Sequence, residues 1–173
     1  MSERTLILLR HAQAETGDGV SDIDRRLSPE GRRQAQGAGR ELVARHLIPQ
    51  RVICSVATRT CQTWDLAAAQ FGDAARSGIA VDFSDELYRA YVTELLDEIH
   101  AVPDDPSVLL VVGHNPAISA MVHHMADPAL SSPDLIDQAR FALPTAAFAV
   151  LTIRDQWPHA AFSTAHLASF YRG

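Results

Sequence analysis

The chain has 173 residues, 47% of them apolar, and a formal net charge of −6. That length suits one domain over residues 1–173 with a full core. It contains no run of about 18 apolar residues that could span a membrane as a helix, and its negative charge argues against a nucleic-acid surface.

In chain order, the amino end Met1-Ser2-Glu3-Arg4 shows no charged-then-apolar export pattern, so a cytoplasmic location is expected. Leu6-Ile7-Leu8-Leu9 follows, an unalternating aliphatic run of the kind found in strands covered on both faces. It stops at Arg10-His11. Gln13 to Arg26 is polar, with Gly17 and Gly19, and reads as a loop running over whatever His11 does. Ser28-Pro29 supplies a hydroxyl cap and a proline at the first helical position, predicting a helix to about His46 that Pro49 terminates. Arg51 to Cys54 is a second strand. Thr58 is expected to cap a helix running to Phe71 and ending at Gly72, in which Trp64, Leu66 and Phe71 are core.

A third strand is expected over Ile79 to Phe83, then Asp85-Glu86-Leu87-Tyr88 and a helix from Thr93 to Ala101. Ser107 to Val112 is the strongest strand pattern and breaks at Gly113-His114-Asn115-Pro116, which opens a helix to Met125. From Asp127 to Leu143 the chain reads as loop. Thr145 to Ile153 and Ala160 to His166 read as two closing strands, a hairpin around Asp155-Gln156. The alternation predicts an α/β fold: a three-layer α/β/α sandwich whose mostly parallel sheet has an antiparallel edge.

Parallel strands expose their carboxyl ends on one side, where open α/β sheets bind ligands. That places His11, Arg59, Glu86 and His114 along one edge. Arg10 and Arg59 can fork onto phosphate oxygens, Arg59 from a helix amino end, and His114 can donate a further hydrogen bond. His11, neutral and with one nitrogen protonated toward a backbone carbonyl, offers the other as nucleophile. His123 and His124, adjacent on a helix, point apart and suit a helix surface better than a metal site. Cys54 and Cys61 lack metal-ligand spacing and read as reduced packing residues. No cofactor motif or cluster of carboxylates is present, so neither cofactor nor metal is expected.

The motifs Leu9-Arg10-His11-Ala12, Asp22 to Gly31, Ser55-Val56-Ala57-Thr58-Arg59-Thr60-Cys61-Gln62-Thr63, Glu86-Leu87-Tyr88 and Val112-Gly113-His114-Asn115-Pro116 resemble those of the histidine phosphatase superfamily. Within it the chain looks most like the short SixA-type phosphohistidine phosphatases, over about residues 5 to 120. The resemblance implies a phosphoglycerate mutase-like fold and a phosphohistidine intermediate on His11. It implies that Arg10, Arg59 and His114 bind the phosphoryl group, with Arg25 supporting it and Glu86 at the proton donor's position. Arg26 stands where that branch often has proline, adding positive charge near the mouth. The expected partners are a phosphorylated protein or a small phosphorylated substrate. Phosphohistidine on a protein is the first choice, because only about one helix and one strand of chain separate Glu86 from His114 and nothing roofs the site. A small phosphomonoester and a phospho-binding module without turnover are the alternatives.

Overall fold

The computed structural model describes residues 3–173; Met1 and Ser2 lie outside the described residues. Six strands form one sheet: β1 (Arg4–Arg10), β2 (Arg51–Ser55), β3 (Ala80–Ser84), β4 (Val108–Gly113), β5 (Phe148–Ile153) and β6 (His166–Tyr171), in the order β3-β2-β4-β1-β5-β6. The first four are parallel, and β5 and β6 complete an antiparallel edge. The helices are α1 (Pro29–Ala44), α2 (Thr58–Ala68), α3 (Asp73–Ser77), α4 (Glu86–Arg89), α5 (Val92–His100), α6 (Ala117–Met125) and α7 (Pro133–Ala139).

The unalternating run of β1 is explained by two cores. Leu6 and Leu8 face one, closed by Leu95 and Ile99 of α5 and Ile118, Met121 and Met125 of α6. Ile7 and Leu9 face the other, closed by Ala35, Ala38 and Leu42 of α1 and Trp64 of α2. Both faces are thus covered, as a central parallel strand requires. Trp64 meets Phe71 edge-on, as core residues, at 5.9 Å between ring centroids. The helices α1 and α2 touch backbone to backbone at Gly39, where a Cβ would come within 2.3 Å of the Ala67 carbonyl. Ser28 caps α1 by accepting the Gly31 N–H at 3.0 Å.

Four expectations are corrected. Thr58 is the first residue of α2 rather than its cap, which is Ala57 with no side-chain cap bond. That helix ends at Ala68 rather than running to Phe71, and the short α3 follows Gly72, started by Asp73. The 127–143 segment contains α7, capped by Ser132 at Leu135 N (3.3 Å) and started by Pro133. The closing strand is His166–Tyr171 and not 160–166: Pro158 sits in a 3-10 turn at Trp157–His159, and the chain does not re-enter the sheet until His166 pairs with Thr152 and Leu167 buries against β5. No described helix is long and apolar enough to cross a membrane.

Candidate active site

The carboxyl ends of β1, β2 and β4 carry the expected residues to one place. His11 leaves β1 with its main chain pinned on both sides, its N–H donating to Gly113 O at 3.0 Å and its carbonyl accepting from Ala146 at 3.1 Å. Its backbone is thereby tied to the end of β4 and to the segment before β5. His11 Nδ1 lies 2.8 Å from the Ala12 carbonyl. A carbonyl only accepts, so Nδ1 holds the proton and the Nε2 lone pair is free. Burial, and then the charges of Arg59, Arg10 and Arg25, push the His11 pKa down to about 4, so the ring is neutral at pH 7.

The His114 ring sits 5.2 Å from that of His11, centroid to centroid. Burial, His11 and the nearby arginines push its pKa down to about 3. Its Nε2 meets the hydroxyl of the fully buried Ser55 at 2.8 Å. Ser55 Oγ also accepts from the Ala57 N–H at 3.5 Å, and when its own proton is given to His114 Nε2 the ring proton sits on Nδ1. That atom is buried and has no partner.

Arg10 donates from Nη1 to the Leu143 carbonyl at 2.7 Å, while its Nε is buried without a partner. Among the described residues the only other buried side-chain nitrogen or oxygen so left is Arg51 Nε, which has Asp82 Oδ2 3.0 Å away. A buried donor left unmet costs about 1–3 kcal/mol. Arg10 Nε and, in that tautomer, His114 Nδ1 are donors left for an acceptor from outside the chain.

Arg59, in the first turn of α2, is 7% exposed and donates from Nη1 to the Asp22 carbonyl (2.6 Å) and from Nη2 to Asp22 Oδ2 (3.1 Å). Asp22 belongs to a 3-10 turn, Asp22–Asp24, in the loop that crosses the site as expected. Arg25 reaches the same carboxylate from Nη1 at 3.2 Å and Glu15 O from Nε at 2.9 Å. Gly17, at φ 76°, makes room for it, since a Cβ there would stand 2.6 Å from the Arg25 side chain. Three guanidiniums therefore face one carboxylate and two neutral imidazoles, an excess of positive charge suited to a phosphoryl dianion. Arg26 is exposed.

Glu86 is exposed at the start of α4 and lines, with Asp22 and Tyr88, a cleft of about 550 Å³. It makes no hydrogen bond to His11, His114 or the arginines among the described residues. Tyr88 instead turns inward. Its hydroxyl donates to Asp22 Oδ2 at 2.7 Å, and its ring lies 5.8 Å from that of His114 and 5.9 Å from Arg59 Cζ. Sequence reasoning singled out neither Tyr88 nor Asp22, although both lie in quoted motifs. Leu87 is the buried residue of that one-turn helix, while Glu86 and Tyr88 both line the cleft, so helical period alone does not single out Tyr88. A second cavity, about 850 Å³, opens beside Asn115 between α6 and Phe141. His123 and His124 are exposed on α6. Cys54 and Cys61 are both free thiols, Cys54 fully buried, with sulfurs 3.4 and 3.5 Å from the Ser55 carbonyl.

A parallel-sheet domain with a histidine at the end of its first strand, set among arginines and a second histidine, defines the class, and the chain belongs to the histidine phosphatase superfamily: the pattern of its branch 1 matches residues 6–88. An uncharacterized protein of Mycobacterium tuberculosis is 34% identical over 163 residues, covering 94% of this chain and 98% of its own. Among solved structures, a candidate phosphohistidine phosphatase SixA from Nakamurella multipartitia is 37% identical with a TM-score of 0.81, covering 99% of this chain and 96% of that one. The protein histidine phosphatase SixA solved with tungstate shares the fold at 18% identity, with a TM-score of 0.75 and coverage of 97% and 96%. The chain is thus of the SixA-like kind within the superfamily.

Proposed function

We propose that the protein is a phosphatase that works through a phosphohistidine on His11 and removes phosphate from phosphohistidine on another protein. The observation that carries this is the state of His11: a neutral ring with its proton held on Nδ1 by the Ala12 carbonyl, its Nε2 unprotonated, and a pKa pushed down to about 4 by burial first and then by three nearby arginines.

In the first step the Nε2 lone pair attacks phosphorus, the new N–P bond forms, and the bond to the leaving nitrogen breaks. The leaving imidazole takes its proton from water or from Glu86. Arg10 Nε, Arg59 and His114 Nδ1–H hold the phosphoryl oxygens, with Arg25 supporting through Asp22. In the second step water attacks the phosphohistidine, inorganic phosphate leaves, and His11 returns to its resting tautomer. Only α4 and α5 lie between β3 and β4, so no added domain roofs the cleft, which favours a phosphorylated side chain carried on a protein.

The test is trapping. Incubated with a labelled phosphodonor and quenched in alkali, the wild-type chain should carry a base-stable, acid-labile phosphoryl group that is absent from His11→Ala. Phosphate binding with no label would instead make it a phospho-binding module. Rapid hydrolysis of sugar phosphates, with no action on any phosphohistidine protein, would make it a small-molecule phosphatase.

A further inference from the structure

Asp22 takes no part in either step, yet the site's polar side chains converge on it. Both terminal nitrogens of Arg59 are held by this one residue, Nη1 by its carbonyl at 2.6 Å and Nη2 by Oδ2 at 3.1 Å. A guanidinium has five N–H donors in a fixed plane. Tying two of them to Asp22 fixes that plane and leaves the Nε edge for another acceptor. Asp22 is held in turn, by the Tyr88 hydroxyl at 2.7 Å on Oδ2 and by Arg25 at 3.2 Å on Oδ1. Those two hydrogen bonds, with the nearby Arg59 charge, keep its pKa at about 2, so the carboxylate is ionised throughout the physiological range. The contrast in exposure has a consequence. Arg59 is 7% exposed, whereas the Asp22 side chain is 55% exposed, so the carboxylate approaches from the solvent side and closes the outer flank of a nearly buried cation.

We propose that Asp22 is a positioning residue that acts through Arg59, presenting the Nε edge of the guanidinium to the phosphoryl group, with Tyr88 and Arg25 holding Asp22 in place. This rests on the phosphatase reading above. It predicts coupling of a particular kind. If Asp22 matters because of where it holds Arg59, its removal has little left to spoil once Arg59 is gone. If it only fastens the 12–27 loop, its loss costs the same with or without Arg59.

The experiment is a double-mutant cycle of Asp22→Ala and Arg59→Ala, read both as kcat/KM on an aryl phosphate and as affinity for inorganic phosphate. Directly contacting residues in one network couple by an amount that corresponds to about tenfold or more here. Asp22→Ala should lower kcat/KM about tenfold or more in the wild-type background and less than about threefold in Arg59→Ala. Both variants keep the main-chain carbonyl that holds Arg59 Nη1, and Asp22→Asn, which also keeps a side-chain acceptor oxygen, should recover much of the loss. Tyr88→Phe should act in the same direction, about threefold, and lose its effect without Arg59. Equal losses in both backgrounds, or no loss for Asp22→Ala, would overturn the proposal. Should the chain bind phosphate without turning anything over, the phosphatase reading fails and the same cycle on phosphate affinity still decides: coupled losses support positioning, additive losses refute it. Should Asp22→Ala not fold, Asp22→Asn and Tyr88→Phe carry the cycle with the same criteria.

Discussion

The two ends of the sheet use the same chemistry to opposite effect. At the amino-terminal edge, Arg4 at the start of β1 and Arg51 at the start of β2 face Asp105, and Asp82 and Asp104, respectively. Arg4 gives both Nε and Nη2 to the Asp105 carboxylate and Nη1 to the Asp155 carbonyl. At the other ends of the same strands, Arg10 has only a neutral carbonyl, and Arg59 shares one carboxylate with Arg25. Where carboxylates match guanidiniums the arginines tie segments together. Where they are outnumbered, with buried donors unmet, the residual charge is available to a ligand. An arginine at a strand end is therefore read by the charge of its partners and not by its position alone.

The largest expected effect is at the ligand end. His11→Ala should abolish turnover while phosphate binding persists, since all three arginines remain; more than about one per cent of wild-type turnover would show that the nucleophile is elsewhere. Next, Arg59→Ala should cost about 10²–10³ in rate, the usual price of one preorganised donor. Arg59→Lys should recover little because an ammonium cannot both bond Asp22 twice and present a second edge. Full activity in the lysine variant would remove the planar geometry from the account.

Acid separates the two ends. In the unfolded chain the His11 and His114 rings take up protons near 6.5, whereas in the folded chain they do so near 4 and near 3. Above pH 6.5 both states are neutral at these groups and no pH dependence arises from them. Below it the unfolded chain binds more protons, so stability falls as pH drops from about 6.5 to 4. The Asp105 pKa is lowered, chiefly by its hydrogen bond from Arg4, so that clamp contributes above the ordinary carboxylate value and weakens only below it. Thermal midpoints should therefore fall between pH 6.5 and 4.5, and less steeply in His11→Asn. An identical slope in that variant would mean that His11 titrates normally in the folded chain.

Smaller effects should follow from Glu86→Gln. An imidazole leaving group needs little protonation, so a phosphohistidine substrate should slow by less than about tenfold, against about a hundredfold or more for an alkyl phosphate. An equal loss on both would give Glu86 a structural role. Smallest of all on catalysis, Arg4→Ala should leave kcat/KM within about twofold while lowering the thermal midpoint by a few degrees. A change in rate as large as that of Arg59→Ala would abolish the contrast between the ends.

The sequence made the ligand end legible because strand-end placement is a rule of chain direction. Leu6 to Leu9 announced a strand covered on both faces, and His11, Arg59 and His114 then had to share an edge. Asp22 and Tyr88 were not legible in the same way. Their roles depend on a loop folding back over α2 and on which side of a single helical turn faces inward, and neither leaves a periodic trace. The carboxyl-terminal strand was misplaced because Ala160 to Ala165 looks apolar in sequence. What decides the strand is pairing with β5, which begins at His166 and Leu167.

One acceptor lies in the part of the chain that carries no motif. The Leu143 carbonyl receives both Arg10 Nη1 at 2.7 Å and Asn115 Nδ2 at 3.1 Å, so the segment after α7 braces an arginine of the pocket and the turn that carries His114. A main-chain oxygen is indifferent to the side chain beside it. The exposed residues 140–142 can therefore change identity without moving that oxygen, whereas Leu143 is buried in the core and the segment cannot be lengthened or shortened, because a shift of one residue would withdraw that oxygen from both donors. Two chains with every motif intact could then differ in activity through loop length alone.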